Sequence, residues 1–168
     1  MPQKTRVLAA VGIVIVIVAV VLGTDALRRR AAPVAAEGGE PRLSAGSIPI
    51  YLNGRLMGGY QPADLERLEE FAFVDEEEGK TQQGWLLRAV LLLYVDEGTL
   101  APDTVVTVSS SSRDRAAEVT WAEVSHQANW VMFDLAGRGT LKLVSVLERL
   151  DTRAEWVQDV DKVEVETN

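Results

Sequence analysis

Val7 to Gly23 reads VLAAVGIVIVIVAVVLG, 17 residues without a charge or a strongly polar side chain. As a helix rising 1.5 Å per residue this run is about 25 Å long, near the lower limit for crossing a hydrocarbon core of roughly 30 Å. Ala26 and Leu27 extend the apolar surface, with Thr24 and Asp25 at headgroup depth, so residues 7–27 are expected to form one transmembrane helix. In lipid the backbone of a lone span must bond to itself, which leaves helix as the only answer. Each central Val, Ile or Leu favours insertion by roughly 0.3 to 0.6 kcal/mol. Two rival readings stand beside the retained anchor: a cleaved secretory signal, and a buried element of a soluble fold. A signal's apolar core usually runs about 7 to 15 residues and ends at a small-x-small site. The best such site here, Val34-x-Ala36, lies well past the run, so the retained anchor is favoured.

On one side of the run is a short basic tip, residues 1–6, with Lys4 and Arg6; on the other stand Arg28, Arg29 and Arg30, partly offset by Asp25. The positive-inside comparison nearly ties. Residues 28–47 include AAPVAAEGGEPRLSAGS, rich in Ala, Gly, Pro and Glu and without periodicity, which reads as a flexible tether. The remainder, 48–168, is a single domain of about 120 residues, enough to bury its own core.

That domain is acidic. The chain carries −8; six of its 17 basic and three of its 25 acidic residues lie in 1–42, so 43–168 hold 11 basic and 22 acidic residues, net −11. Such a surface argues against nucleic acid, whose phosphates are held by Lys and Arg, and against lying flat on anionic lipid. Cysteine is absent, which removes disulfides, thiolate chemistry and cysteine metal sites. A single histidine, His126, works against a His-based metal site; beside Gln127 and Asn129 it is a general acid or base candidate, since imidazole is the side chain suited to proton exchange near neutral pH.

The rest of the pattern predicts an α+β domain with a mixed, mostly antiparallel sheet and short helices. Ile48–Leu52, Asn53-Gly54 and Arg55–Met57 predict a hairpin, since Asn-Gly suits the positive-φ positions of a type I′ turn. Gln61-Pro62 opens a short helix with Leu65 and Leu68 on one face. Asp75 to Lys80, DEEEGK, reads as a solvated loop. Gly84 to Val95, GWLLRAVLLLYV, is apolar all round except at Arg88 and predicts a central core helix, stopped at Asp96-Glu97-Gly98 with Gly98 in a left-handed cap. Thr104–Val108 and Arg115–Val119 are strands around a polar turn, Ser109–Ser112, whose hydroxyls have no base motif beside them. Thr120-x-x-Glu123 and Thr152-x-x-Glu155 have capping-box spacing and predict short helices. Trp130–Leu135 and Thr140–Val146 are strands about Gly137-Arg138-Gly139, and Asp161–Glu166 alternates as a final edge strand with Val163 and Val165 inward.

From Ile48 onward this order of features resembles the molybdopterin-binding domain of the sulfite-oxidase family, especially its small secreted relatives. GWLLRAVL at Gly84–Leu91 is like the family's G-x-P-L-R-x-L-L helix, and DTVVTVSS and the capped segment around Glu118–Val124 follow in order. GRGTLKLV at Gly137–Val144 is like G-x-P-L-R-L-V, and WVQDVDKVEV closes as the family does. The resemblance implies that fold, and export of the domain, hence an N-in, C-out anchor. Family enzymes ligate molybdenum through a cysteine thiolate and hold the pterin and its phosphate with Arg, His and Lys. Here the cysteine is missing, Leu86 and Thr140 replace the prolines, and Lys142 replaces the second Arg, so only Arg88 and Lys142 carry over. The expectation is a relative without a cofactor.

The function expected is therefore a membrane-anchored, non-catalytic binding or scaffold domain that holds a protein partner, as an accessory subunit or partner-binding module of a membrane complex. The alternative is an oxidoreductase-type domain binding a pterin or other small ligand in the family pocket. Four tryptophans are many for this length. Trp is enriched at interface hot spots; Trp85 and Trp156 are expected in the core, leaving Trp121 and Trp130 as contact candidates. With Arg88, His126, Arg138 and Lys142 they make up the candidate ligand- or partner-binding set.

Overall fold

Asn53 and Gly54 adopt φ of 49° and 75°, so the expected type I′ turn forms, joining β1 (Ile48–Leu52) to β2 (Arg55–Tyr60). The computed structural model describes residues 41–168. The expected anchor at 7–27, the tip at 1–6 and most of the 28–47 linker lie outside the described residues. Among the described residues no helix is long and apolar enough to cross a membrane. After β2, Pro62 sits in the first turn of α1 (Pro62–Leu65), which buries Leu65 completely.

The GWLLRAVLLLYV stretch is not one helix. Its first three residues finish β4 (Thr81–Leu86), which pairs with β3 (Phe71–Val74), and the helix α2 covers only Leu87–Leu91 before the chain continues in turns. An all-apolar run carries no period that separates a buried strand from a buried helix. Gly84 decides the matter locally: a Cβ there would lie 1.8 Å from the Phe133 carbonyl oxygen, so only glycine lets the two backbones approach this closely. Gly98 takes no left-handed conformation; Asp96 instead caps a short 3-10 turn, Glu97–Thr99, by accepting from the Gly98 amide at 2.7 Å.

Downstream, β5 (Val105–Ser110) and β6 (Arg115–Thr120) form a hairpin in which Ser109 and Ser110 extend the strand rather than the turn. The capping box then opens α3 (Trp121–Ser125): the Glu123 amide donates to Thr120 Oγ1 at 3.3 Å, and the Thr120 amide donates to Glu123 Oε2 at 2.8 Å. β7 (Met132–Leu135) and β8 (Leu141–Val144) are joined through a turn with Gly139 at φ 79°. Trp130, at φ 46°, stands before β7 rather than in it. The Thr152 amide and hydroxyl both donate to Glu155 Oε2, but the reciprocal bond of a capping box is replaced by one from the Glu155 amide to the Thr152 carbonyl; the segment stays a turn, and Val157 leaves it to bridge Leu143.

The last strand, β9 (Lys162–Glu166), is not at an edge. It lies between β1, which it meets in parallel, and β5, which it meets antiparallel, in a five-stranded sheet of order β2-β1-β9-β5-β6. The other strands form a second, four-stranded antiparallel sheet of order β3-β4-β7-β8. The architecture is thus α+β with two mostly antiparallel sheets and a few short helices, where a single sheet was expected. Alternation puts Ile50, Val106, Val108, Val163 and Val165 into one buried cluster with Trp85, Phe133, Leu141 and Leu143 from the second sheet and with Leu87 and Leu91 from α2. The other face of the second sheet carries a smaller cluster, Met132, Val144 and Trp156, flanked by Phe73, Leu86 and Trp130.

Candidate functional site

Five of the domain's cations meet at one cleft of about 420 Å³: Lys80, Arg113, Arg138, Lys142 and Arg153, beside the Trp156 indole. They come from far apart in sequence. Lys80 ends the acidic turn before β4; Arg113 lies in the β5–β6 turn; Arg138 lies in the β7–β8 turn; Lys142 is on β8; Arg153 and Trp156 belong to the connection to β9.

The floor is fixed by a polar chain. The Lys142 ammonium donates to Gln82 Oε1 at 2.7 Å, pairs with Asp134 at 3.1 Å, and lies 5.1 Å from the Trp156 ring centroid. Gln82 in turn donates to the buried Asp75 at 2.8 Å. Trp156 is held by its own N–H, which donates to the Leu150 carbonyl at 3.0 Å. Lys142 thus stands over an aromatic face, a cation–π arrangement.

The rim is a set of shared carboxylates. Asp159, itself in a left-handed conformation at φ 53°, accepts from Thr140 at 2.7 Å and pairs with Arg113 at 2.6 Å and Arg138 at 3.1 Å. Those contacts, the Thr140 hydroxyl first and then Arg113, hold its carboxyl below the usual carboxylate range. Glu78 pairs with Lys80 at 2.6 Å and Arg153 at 3.4 Å, and its carboxyl is lowered too, chiefly by the Lys80 hydrogen bond. Asp75 is lowered by the Glu78 amide above all. Chemically the arrangement offers charge-assisted donors for an anion. Among the described residues no group of three His, Cys, Asp or Glu side chains is placed to hold a metal ion.

Of the candidate residues from the sequence, Arg138 and Lys142 are brought together here; the other four are elsewhere. Arg88 makes an exposed pair with Glu97 at 2.7 Å. Trp121 is only 5% exposed and packs in the core, so its indole is no contact surface. His126 is exposed at the end of α3 and lines none of the cleft. Trp130 is half-buried against Phe71 and Phe73, with ring centroids 6.1 and 6.3 Å away. Lys80, Arg113, Arg153 and Asp159 escaped the sequence reading; the one available signal was that cations are scarce in an acidic domain. Trp156, expected in the core, is buried as expected, yet it also walls the cleft.

The chain matches no protein-family model and no curated protein sequence.

Proposed function

We propose that the chain is a membrane-anchored, non-catalytic binding domain, held at the bilayer by residues 7–27 in an N-in, C-out arrangement, and that it engages a partner protein through the cationic cleft. The supporting observation is the concentration of Lys80, Arg113, Arg138, Lys142 and Arg153 around one concavity in a region whose net charge is −11. Side chains of one sign on low-dielectric walls focus field and draw in an oppositely charged partner. The test is purification of the intact chain from membranes in a mild detergent. A stoichiometric partner that cross-links to cleft positions is the expected result; a lone monomer counts against the reading.

A second reading keeps the sulfite-oxidase-type resemblance and a pterin or other small ligand. Its support is that GRGTLKLV at 137–144 and the start of WVQDVDKVEV at 156–165, two segments that carry the resemblance, both contribute to the cleft. Metal analysis and pterin extraction from the same preparation separate the two, and stoichiometric molybdenum would overturn the preferred one.

A further inference from the structure

Resting on the partner-binding reading above, we infer that the cleft takes an extended, carboxylate-rich segment of the partner protein rather than a single compact anion. The first support is its shape. The cleft runs into a second concavity of about 240 Å³ that shares Arg113, Arg153 and Trp156 with it and adds Arg115. The cations are therefore strung along a groove. Where the Arg113 and Arg138 guanidinium groups converge, Asp159 already fills the space between them. A compact dianion such as phosphate finds that position taken.

The second support is which charges face outward. The Arg138 and Arg153 side chains are 62% and 57% exposed, whereas the carboxylates they pair with, Asp159 and Glu78, are 19% and 34% exposed. Each guanidinium has five N–H donors in a planar fork, so a pair with one buried-side carboxylate leaves outward donors for a second.

Third, the protein's own chain displays the complement. The acidic turn 75–80 lays Glu78 against Lys80 and Arg153, and Glu77 accepts from the Arg153 amide at 3.0 Å. Consecutive carboxylates on a peptide already sit on this rim. An incoming Asp/Glu segment would continue that pattern along Arg138, Arg113 and Arg115. The negative charge of the remaining surface would repel the same segment elsewhere and so fix its register, since complementarity sets specificity more than raw affinity.

The experiment uses the full chain in mild detergent and three probes: a fluorescent peptide of alternating Asp and Glu with Gly spacers, its Asn/Gln counterpart, and inorganic phosphate. The acidic peptide is expected to bind by anisotropy, with affinity falling at least about tenfold between about 0.05 and about 0.5 M salt as the charges are screened. The amide peptide is expected not to bind, nor phosphate to compete beyond its ionic strength. Arg138→Glu with Arg153→Glu should weaken peptide binding about tenfold or more with the thermal transition unchanged. Lys162→Glu, outside the groove, should leave binding intact. Equal binding by the double variant, or competition by phosphate where the acidic peptide fails, overturns the inference. If a stoichiometric partner co-purifies equally well with the double variant, this inference falls and the cleft is no longer the contact, while the membrane-anchored binding-domain reading stands on another surface. If no partner is recovered at all, the broader reading falls with it.

Discussion

Tyr60 buries its whole side chain at the end of β2, against Phe133 and near Tyr94, and its hydroxyl has no hydrogen-bond partner among the described residues. Burial pushes its pKa well above the ordinary phenolic value. An unpaired buried hydroxyl costs about 1 to 3 kcal/mol, and removing it while keeping the ring recovers part of that. Tyr60→Phe is therefore expected to raise stability by about 1 kcal/mol, a few degrees in thermal midpoint; a loss of similar size would mean the hydroxyl has a partner. Glu123 shows the opposite sign. Its carboxyl is lowered to about 2, first by the Arg149 hydrogen bond and then by the Thr120 contacts of the capping box. Because the folded pKa lies below the unfolded one, the stabilisation is fully present above the unfolded value of 4.5 and fades as pH falls toward about 2. Glu123→Gln should cost about 1 kcal/mol at neutral pH, modest because the pair is half-exposed, and should flatten the acid limb of a stability-versus-pH curve. Glu123 was legible in the sequence because its partner Thr120 is three residues away, and Asn53-Gly54 for the same reason. Gly84 and Asp159 were not: the reason for each lies on a distant strand or loop, the Phe133 carbonyl in one case and Arg113 and Arg138 in the other.

Among the elements, β9 shows where alternation stops being informative. The pattern of DKVEVE told which side chains point inward, and Val163 and Val165 are buried. It carried nothing about neighbours, and a strand ending the chain reads as an edge. Its place is set by partners remote in sequence: Ile50 pairs with Val163 on one side and Val108 with Val163 on the other. The same limit explains the Gly84–Val95 stretch, where a core run gave burial without a period, and the two-sheet arrangement, which no local pattern encodes. A central strand is needed by both its neighbours, so cutting the chain after Asp161 should abolish the cooperative thermal transition rather than lower it. Val163→Asp should act alike, since it buries a charge with nothing to pair it, whereas Glu166→Gln at the exposed end should be silent. A truncated chain that still melts cooperatively would show that β1 and β5 hold the sheet without β9.

For the molecule as a whole, both buried clusters of the described residues are built from side chains between Ile48 and Val165. The first and last strands of that span pair in parallel, so the middle of the sheet joins the two ends of the domain. Such a unit carries its own core and its own long-range pairing, the conditions for folding alone. Its net charge of −11 over residues 43–168 favours solubility. Among the described residues the exposed large apolar side chains, Leu43, Val74, Leu135 and Val146, are four single positions from separate segments, which by itself is ordinary for a soluble surface. Residues 43–168 expressed without the first 42 are thus expected to be monomeric in size-exclusion chromatography. They should also give a strong near-ultraviolet circular dichroism signal, because Trp85, Trp121 and Trp156 sit in fixed, buried surroundings. The same fragment should melt in one transition and leave the membrane fraction entirely, while the full chain stays in it. Aggregation of the fragment, or loss of the tryptophan signal with secondary structure retained, would mean that Val7–Gly23 completes the globular core instead of anchoring it. The expected membrane placement, the binding-domain reading and the access of a partner to the cleft would then all have to be rebuilt from a soluble fold.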